Sequence, residues 1–170
     1  MNAWPNPSAV EGIRLTSAGV RWLVILGNRD AIEWVLKRNR MAFRAHVDTS
    51  SMKVGDEVAL YATRGAFRSP VRDRARVFGL GEISASVKSR PIEIEEMEFS
   101  KQCGLTVSAE MPPRLGLEFA TIIPDLDFIR KKDNWSNYVR RTLVPLSDHD
   151  WHVIKRAFER HRKASAVAQG

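Results

Sequence analysis

The sequence predicts an α+β domain built on an antiparallel sheet that is curved or closed. Several stretches of strand length follow one another along the 170 residues without long helices between them. One amphipathic helix follows the first strand, and another lies near the C-terminus. Hydrophobic residues make up 44% of the chain and charged residues 28%, which is typical of a globular domain with a sizeable core.

The first strand and helix are predicted by a short apolar run and a cap. Residues 1–19 contain prolines and glycines with little periodicity, so we expect a flexible N-terminal arm. Residues 20–27 form a buried strand that ends at a glycine. Asn28 stands at the N-cap position, with Asp30 in the first turn, and apolar residues at helical spacing predict a helix to about Arg38.

The middle of the chain alternates between loops and strands. Residues 39–52 are predicted to be a polar loop, and residues 57–63 a strand with apolar side chains on both faces. Residues 64–76, which we call the arginine loop, connect it to a long strand over residues 76–87. Glycines inside that strand indicate a bulge or a close approach to the backbone.

The distal part contains shorter elements and one clear helix. Residues 90–99 alternate in polarity, and a further strand is expected near residues 105–109. After a Pro-Pro break, we expect a short strand or helical turn over residues 117–123. Short helical pieces are then predicted near residues 126–129 and 135–141. Ser147 caps a final amphipathic helix, and residues 163–170 are predicted to be a disordered tail.

The sequence indicates a cytoplasmic protein that does not enter a membrane. No apolar run approaches the roughly 20 residues that span a bilayer. The N-terminal residues lack the pattern of a secretion signal. Cys103 is the only cysteine, which excludes an intrachain disulfide.

Signatures of catalysis are absent, and we expect no catalytic residue, cofactor or metal ion. The chain contains no nucleophile elbow, P-loop or dinucleotide fingerprint. His149 and His152 lack nearby partners that would complete a metal site, so a solvated helix face is the better interpretation. Cys103 is interpreted as a small buried apolar residue, and Glu95 with Glu96 as solvated charge.

Charge points to a nucleic-acid partner. The net charge is +7 with a pI near 10, which favours a polyanionic ligand. In the arginine loop five arginines accompany one acid, Asp73, with Phe67 interleaved. Guanidinium groups suit phosphates and base edges, and aromatic rings stack on bases. We therefore predict nucleic-acid contacts there from Arg64, Arg68, Arg72 and Arg74.

A second basic segment, residues 130–141, surrounds Trp135 and Tyr138. Arg140 and Arg141 are predicted to contact nucleic acid, while Trp135 could belong either to a pocket or to the core. Tyr61, near the end of its strand, combines stacking area with a hydrogen-bonding tip and is a comparable candidate.

These motifs, in this order, resemble the EVE domain. The resemblance covers roughly residues 20–160. It rests on these segments in order: 22–29, the helix end at 37–39, 53–56 before the strand with Tyr61, 123–132 followed by 134–136, and 146–154. The stretch around Arg64–Phe67 and Arg72–Arg74 is similar to a subgroup of EVE-like proteins in bacteria.

The resemblance implies a PUA-like fold over residues 20–162: a small curved β-barrel flanked by short helices, with a C-terminal helix. It also implies kinship to YTH readers of methylated adenine in RNA. The expected function is capture of a modified base from DNA or RNA by stacking and polar-edge recognition.

The resemblance also implies which residues form the base pocket: Asn28, Phe43, Tyr61, Ala62, Trp135 and Ser136. YTH-type relatives place a cage tryptophan where this chain has Met41-Ala42-Phe43, and a second one near Met111. With Phe43 as the only aromatic candidate there, a flat pocket for a modified cytosine fits better than a full aromatic cage.

Three alternatives stay open at this point. ASCH domains of the same superfamily include hydrolases of modified nucleosides, for which Thr63, Glu82 and Lys53 are the available residues. The chain could instead be a protein–protein adaptor that has lost the pocket. As a reader, it could work alone or recruit a nuclease or other effector protein.

Overall fold

The computed structural model describes residues 19–170. The predicted N-terminal arm lies outside the described residues except for Gly19. The strands are β1 (Arg21–Leu26), β2 (Arg40–Phe43), β3 (Glu57–Ala62), β4 (Arg76–Ile94), β5 (Met97–Glu110), β6 (Leu117–Glu118) and β7 (Leu143–Leu146). The α-helices are α1 (Arg29–Arg38) and α2 (Asp148–Ala168). Short 3-10 segments span Pro113–Leu115, Phe119–Thr121, Ile123–Asp125 and Lys132–Val139.

The strands form one sheet in the order β2-β5-β4-β3-β1-β7, with β6 paired to β4. The α+β class and the C-terminal helix are confirmed. The barrel is not closed, because no ladder within residues 19–170 joins β2 to β7. Both end strands have four residues, and β7 contains Pro145, which has no N–H to donate.

One pair departs from the antiparallel pattern. β1 and β3 run parallel, with Leu23 opposite Ala59 and Ile25 opposite Tyr61. Parallel neighbours need a crossover, which α1 and β2 supply here. The crossover brings the C-terminal ends of β1 and β3 to the same edge of the sheet.

The cap of α1 forms as predicted. The side-chain oxygen of Asn28 accepts hydrogen bonds from the backbone N–H groups of Asp30 and Ala31, at 2.8 and 3.3 Å. Asn39 ends the helix in the left-handed conformation (φ 51°), and its N–H donates to the carbonyl of Val35.

The central strand β3 separates two hydrophobic cores, as its predicted two-faced pattern implies. We name them by the helix that packs on each. The α1 core includes Val58, Leu60, Ala62, Phe43, Phe78 and Ile32. The α2 core includes Ala59, Tyr61, Phe119, Trp151, Ile154 and Phe158. Adjacent residues of β3 therefore serve opposite faces of the sheet.

β4 and β5 form a long hairpin that joins three separately predicted segments. Ile94 pairs with Met97 across a two-residue turn of Glu95 and Glu96, whose φ angles are +45° and +67°. Both residues are exposed, as expected for solvated charge. The ladder shifts register between Leu80 and Gly81, which confirms the predicted irregularity.

Four segments differ from the prediction. Residues 40–43, predicted to be loop, form β2 because they pair with β5. Residues 126–129 are not helical, and the segment over Lys132–Val139 consists of 3-10 turns interrupted by a kink at Asn134 (φ -120°, ψ 34°). α2 continues to Ala168 where a disordered tail was predicted, since alanines at positions 164, 166 and 168 favour helix. No helix within residues 19–170 is both long and apolar enough to cross a membrane.

Candidate functional site

A cavity of about 1010 Å³ opens at the sheet edge where β1 and β3 end. β1 and the residue after it contribute Ile25 and Gly27, and β3 with its following residue contributes Tyr61 and Thr63. The arginine loop forms a second wall, and β6 with the 3-10 segment after it a third. The last wall is the 3-10 segment Lys132–Val139 and the residues up to Thr142.

Aromatic rings form the inner end of the cavity. Tyr61 is 2% exposed and meets the buried ring of Phe119 edge-on, with ring centroids 5.0 Å apart. Phe119 in turn packs against Trp135 at 5.7 Å. Trp135 is half-buried and lines the cavity, so one part of its indole rests on the core and another part is open to a ligand.

The Tyr61 hydroxyl stays protonated over the physiological pH range. Burial raises the pKa of its phenol well above the usual value, because the charged form would be poorly solvated there. A neutral phenol offers one donor and also accepts hydrogen bonds. Tyr61 can therefore contribute both an apolar surface and a polar tip to the cavity.

Four arginines stand around this cavity, and we call them the rim arginines: Arg64, Arg74, Arg140 and Arg141. All four are exposed. Within the described residues, Arg74 alone of the four has an acidic partner, Glu118, at 3.7 Å. Glu118 is also the one carboxylate among the described residues that line the cavity.

The arginine loop is built from successive turns. Arg68 N–H donates to the Gly65 carbonyl at 3.1 Å, and Asp73 N–H to the Ser69 carbonyl at 2.8 Å. The loop is fixed to the neighbouring 3-10 segment by Arg114, which bonds Asp73 and lies 5.5 Å from the ring centroid of Phe67. These contacts hold Arg64 and Arg74 on the cavity side.

The structure brings together half of the predicted base pocket. Tyr61, Trp135 and Ser136 line the cavity. Ala62 lies in the α1 core on the opposite face, because neighbouring strand residues alternate. The prediction that Phe43 lines the pocket is wrong. Phe43 is 1% exposed and packs into the α1 core from β2.

The side-chain oxygen of Asn28 is already hydrogen-bonded as the N-cap of α1. Asn28 lines a separate depression of about 250 Å³ with Phe67 and Arg68. Of the predicted phosphate contacts, Arg68 and Arg72 are exposed but do not line the large cavity. The rim arginines are the remaining four. The predicted phosphate contacts thus divide into the four rim arginines at the cavity and a pair, Arg68 and Arg72, in the middle of the arginine loop.

Sequence reasoning missed Glu118 and Phe119 as parts of the site. Glu118 is the second residue of β6, and the pairing of this strand with β4, Arg76 opposite Glu118, places its side chain in the cavity wall. Phe119 follows directly and packs, fully buried, behind Tyr61 and Trp135. The local pattern predicts a short strand or helical turn over residues 117–123, but only the tertiary pairing with β4 shows that this stretch reaches the cavity.

The residues considered for hydrolysis do not converge. Thr63 lines the cavity after the last residue of β3, whereas Glu82 pairs with Glu57, the first residue of β3. The length of β3 separates them by roughly 20 Å, at about 3.3 Å a residue. Lys53 precedes Glu57 at that far end.

Two titratable sites away from the cavity are either buried or already hydrogen-bonded within the fold. Burial raises the pKa of the Cys103 thiol to about 11, in keeping with the predicted small buried residue. Asp127, His149 and Asp150 bring ligand atoms within 4.8 Å of one another. Both carboxylate oxygens of Asp150 already accept backbone hydrogen bonds, from Asp127 at 2.7 Å and Phe128 at 3.0 Å.

Comparisons with known proteins identify the fold. No family model matches the sequence, and no curated protein matches it. A hypothetical protein from Leishmania major superposes with a TM-score of 0.57 at 15% identity, covering 86% of this chain and 98% of that one. The Mmi1 YTH domain superposes with a TM-score of 0.54 at 12% identity, over 87% of this chain and 98% of that domain.

A third neighbour is the Pho92 YTH domain in complex with m6A, with a TM-score of 0.50 and 11% identity, over 83% of this chain and 84% of that one. The chain has a YTH-like fold. At these identities the likeness establishes the architecture and leaves the ligand to the chemistry of the site.

Proposed function

We propose that the protein binds nucleic acid and takes one modified base into the cavity, where it stacks on Trp135. The observation that carries this proposal is the arrangement of one partly open indole inside a cavity whose mouth holds four arginines. Stacking favours a flat base, and guanidinium groups at the mouth suit the phosphates on either side of it.

The size and position of the cavity support capture of a single base. Ligand pockets range from roughly 300 to 1,000 Å³, so about 1010 Å³ accommodates a nucleotide. A base must leave its stack to reach Tyr61 and Trp135, which favours single-stranded or extruded nucleotides. The fold neighbours include a YTH domain solved with m6A, which agrees with a reader on this scaffold.

The aromatic content supports a flat pocket. Because Phe43 belongs to the other core, Trp135 is the partly open aromatic side chain of the cavity, with Tyr61 and Phe119 behind it. One stacking face suits a planar ring and does not enclose a methylammonium-like group on several sides. We propose a modified cytosine in DNA or RNA as the ligand, and the EVE branch of the superfamily as the closest description of the domain. The domain reads the base without changing it.

Tryptophan fluorescence provides a direct test. The protein is titrated with short oligonucleotides that carry plain, methylated or hydroxymethylated cytosine, or methylated adenine, at two salt concentrations. Quenching that depends on the modification and weakens with salt is expected. Trp135→Phe should remove the modification-dependent quenching, since Trp22, Trp34 and Trp151, the other tryptophans of the described residues, do not line the cavity. Absence of salt-sensitive binding to every oligonucleotide would disprove the proposal.

A further inference from the structure

Glu118 occupies a fixed place in the cavity wall. It belongs to β6, which pairs with β4 through Arg76 opposite Glu118 and Val77 opposite Leu117. The Arg76 guanidinium donates to the Gly116 carbonyl at 2.7 Å, just before the strand. Gly116 lies so close to β4 that an added Cβ would be 2.3 Å from the Val77 carbonyl oxygen. The backbone at Glu118 is therefore held on the cavity side.

The Glu118 carboxylate retains the capacity to accept hydrogen bonds. Its side chain is 37% exposed, and its Oε1 is 3.7 Å from Nε of Arg74. This distance is longer than a good hydrogen bond, so the contact is an electrostatic one that leaves lone pairs free. The pair presents a donor group and an acceptor group side by side at the cavity wall.

The charged groups that line the cavity differ sharply in kind. The rim arginines can only donate hydrogen bonds, whereas an ionised carboxylate can only accept them. Glu118 is the one carboxylate among the described lining residues. A ligand edge that combines an N–H₂ group with a neighbouring acceptor would satisfy both Glu118 and Arg74.

We propose that Glu118 makes the cavity select bases with an exocyclic amino group over uracil and thymine. The inference rests on the proposed function, because it concerns the base that enters this same cavity. Cytosine and adenine carry an amino group beside a ring nitrogen that accepts, and a carboxylate is a suitable partner for the amino group of cytosine. In uracil and thymine the single ring N–H lies between two carbonyl oxygens, so one of them would face the carboxylate without a hydrogen bond.

Matched bases isolate the amino group. 5-Methylcytosine and thymine share the 5-methyl group, and cytosine and uracil both lack it, so within each pair the members differ at C4 and in the protonation of N3. Adenine and hypoxanthine form the corresponding purine pair. Each base is placed at the centre of the same single-stranded oligonucleotide, and its affinity for the wild-type protein is measured by anisotropy.

The amino-bearing member of the pair that the cavity accepts is expected to bind roughly tenfold tighter than its partner, in line with a specific base contact. Glu118→Gln should bring this ratio close to one, because the amide can donate to a carbonyl as well as accept. Glu118→Ala removes the side-chain hydrogen-bonding group altogether and should also abolish the preference. Glu110→Gln makes the same charge change on an exposed β5 residue outside the cavity and should keep the wild-type ratio.

The outcomes separate the two proposals. Salt-sensitive binding of all oligonucleotides with a ratio that Glu118→Gln does not change would overturn the role of Glu118 and leave the nucleic-acid proposal standing. Binding with the wild-type ratio near one in every pair would overturn it as well. If no oligonucleotide binds, both proposals fail together. Near-ultraviolet circular dichroism of each variant verifies that the fold is retained.

Discussion

Arg114 and Asp73 form an ion pair that ties the arginine loop to the 3-10 segment before β6. Two nitrogens of the Arg114 guanidinium, Nε and Nη2, each lie 3.0 Å from Oδ1 of Asp73. The other carboxylate oxygen, Oδ2, is buried without a partner among the described residues. The Asp73 side chain is 12% exposed, so its charge depends on Arg114 more than a surface carboxylate would.

Arg114→Ala should therefore destabilise the protein and weaken nucleic-acid binding. Removing the guanidinium leaves the Asp73 carboxylate unpaired, which should lower the free energy of unfolding by roughly 1–3 kcal/mol. The loop that carries Arg64 and Arg74 would lose its attachment to the 3-10 segment. Urea denaturation and oligonucleotide titration measure the two effects.

Arg90→Ala is the matched control, because Arg90 is an exposed residue of β4 outside the cavity. The double variant Arg114→Ala with Asp73→Ala should lose less stability than the sum of the single variants, since the pair is removed together. Strictly additive losses would show that the ion pair does not couple the loop to the 3-10 segment.

Trp135→Ala should weaken binding of the captured base by roughly 1–3 kcal/mol, the usual contribution of an aromatic stacking partner. Trp135→Phe should lose less, because a smaller ring still stacks. The control is Trp34→Ala, which removes another half-buried indole, on α1 and outside the cavity. Equal losses of affinity from Trp34 and Trp135 would indicate a general effect on the fold. Fluorescence anisotropy of a labelled oligonucleotide provides the affinities.

Arg140→Gln with Arg141→Gln should make binding less sensitive to salt. Each phosphate contact on single strands contributes about 0.7 to the slope of log affinity against log salt concentration. Loss of two contacts should reduce the slope by about 1.4. Lys88→Gln with Arg90→Gln removes the same charge from exposed positions of β4 and should leave the slope nearly unchanged. A slope that stays the same in the Arg140 and Arg141 variant would place these side chains away from the phosphates.

The β4–β5 turn can be stabilised by substitution. Glu95 and Glu96 both adopt positive φ, a conformation that costs residues with a Cβ roughly 1–2 kcal/mol each. Glu95→Asn with Glu96→Gly provides the residues that such two-residue turns prefer. We expect the unfolding free energy to rise by about 1–2 kcal/mol, and Tm by about 2–4 °C for each kcal/mol.

Thermal melts test this expectation, with Glu96→Val as the opposing variant because a β-branched residue resists positive φ. Affinity for oligonucleotides should not change in either variant, as neither residue lines the cavity. A fall in Tm for the Asn-Gly variant would mean that the glutamates stabilise the turn in another way.

Elements defined by local patterns could be predicted from the sequence. The apolar run of β1, the Asn28 cap of α1 and the Ser147 cap of α2 each depend on residues that are neighbours in the chain. β2 could not be predicted in this way. Its four residues are extended because Met41 pairs with Cys103 and Phe43 with Lys101, some sixty residues away.

The same difference between local patterns and distant pairing explains which site residues could be predicted. Tyr61 and Trp135 were found because aromatic residues near basic segments are a local signal, and the fold brings both to one cavity. Phe43 was misplaced because the sequence does not show which face of the sheet receives it. Glu118 was missed because only the pairing of β6 with β4 carries it to the cavity wall.

The division of β3 between two cores has an evolutionary consequence. Tyr61 faces the cavity, while its neighbours Leu60 and Ala62 belong to the α1 core. Changes around Tyr61 and the cavity can alter the shape of the cavity while the α1 core on the other face keeps its packing. A lineage with this architecture can thus vary its cavity on one side of the sheet and keep the packing of the other side unchanged.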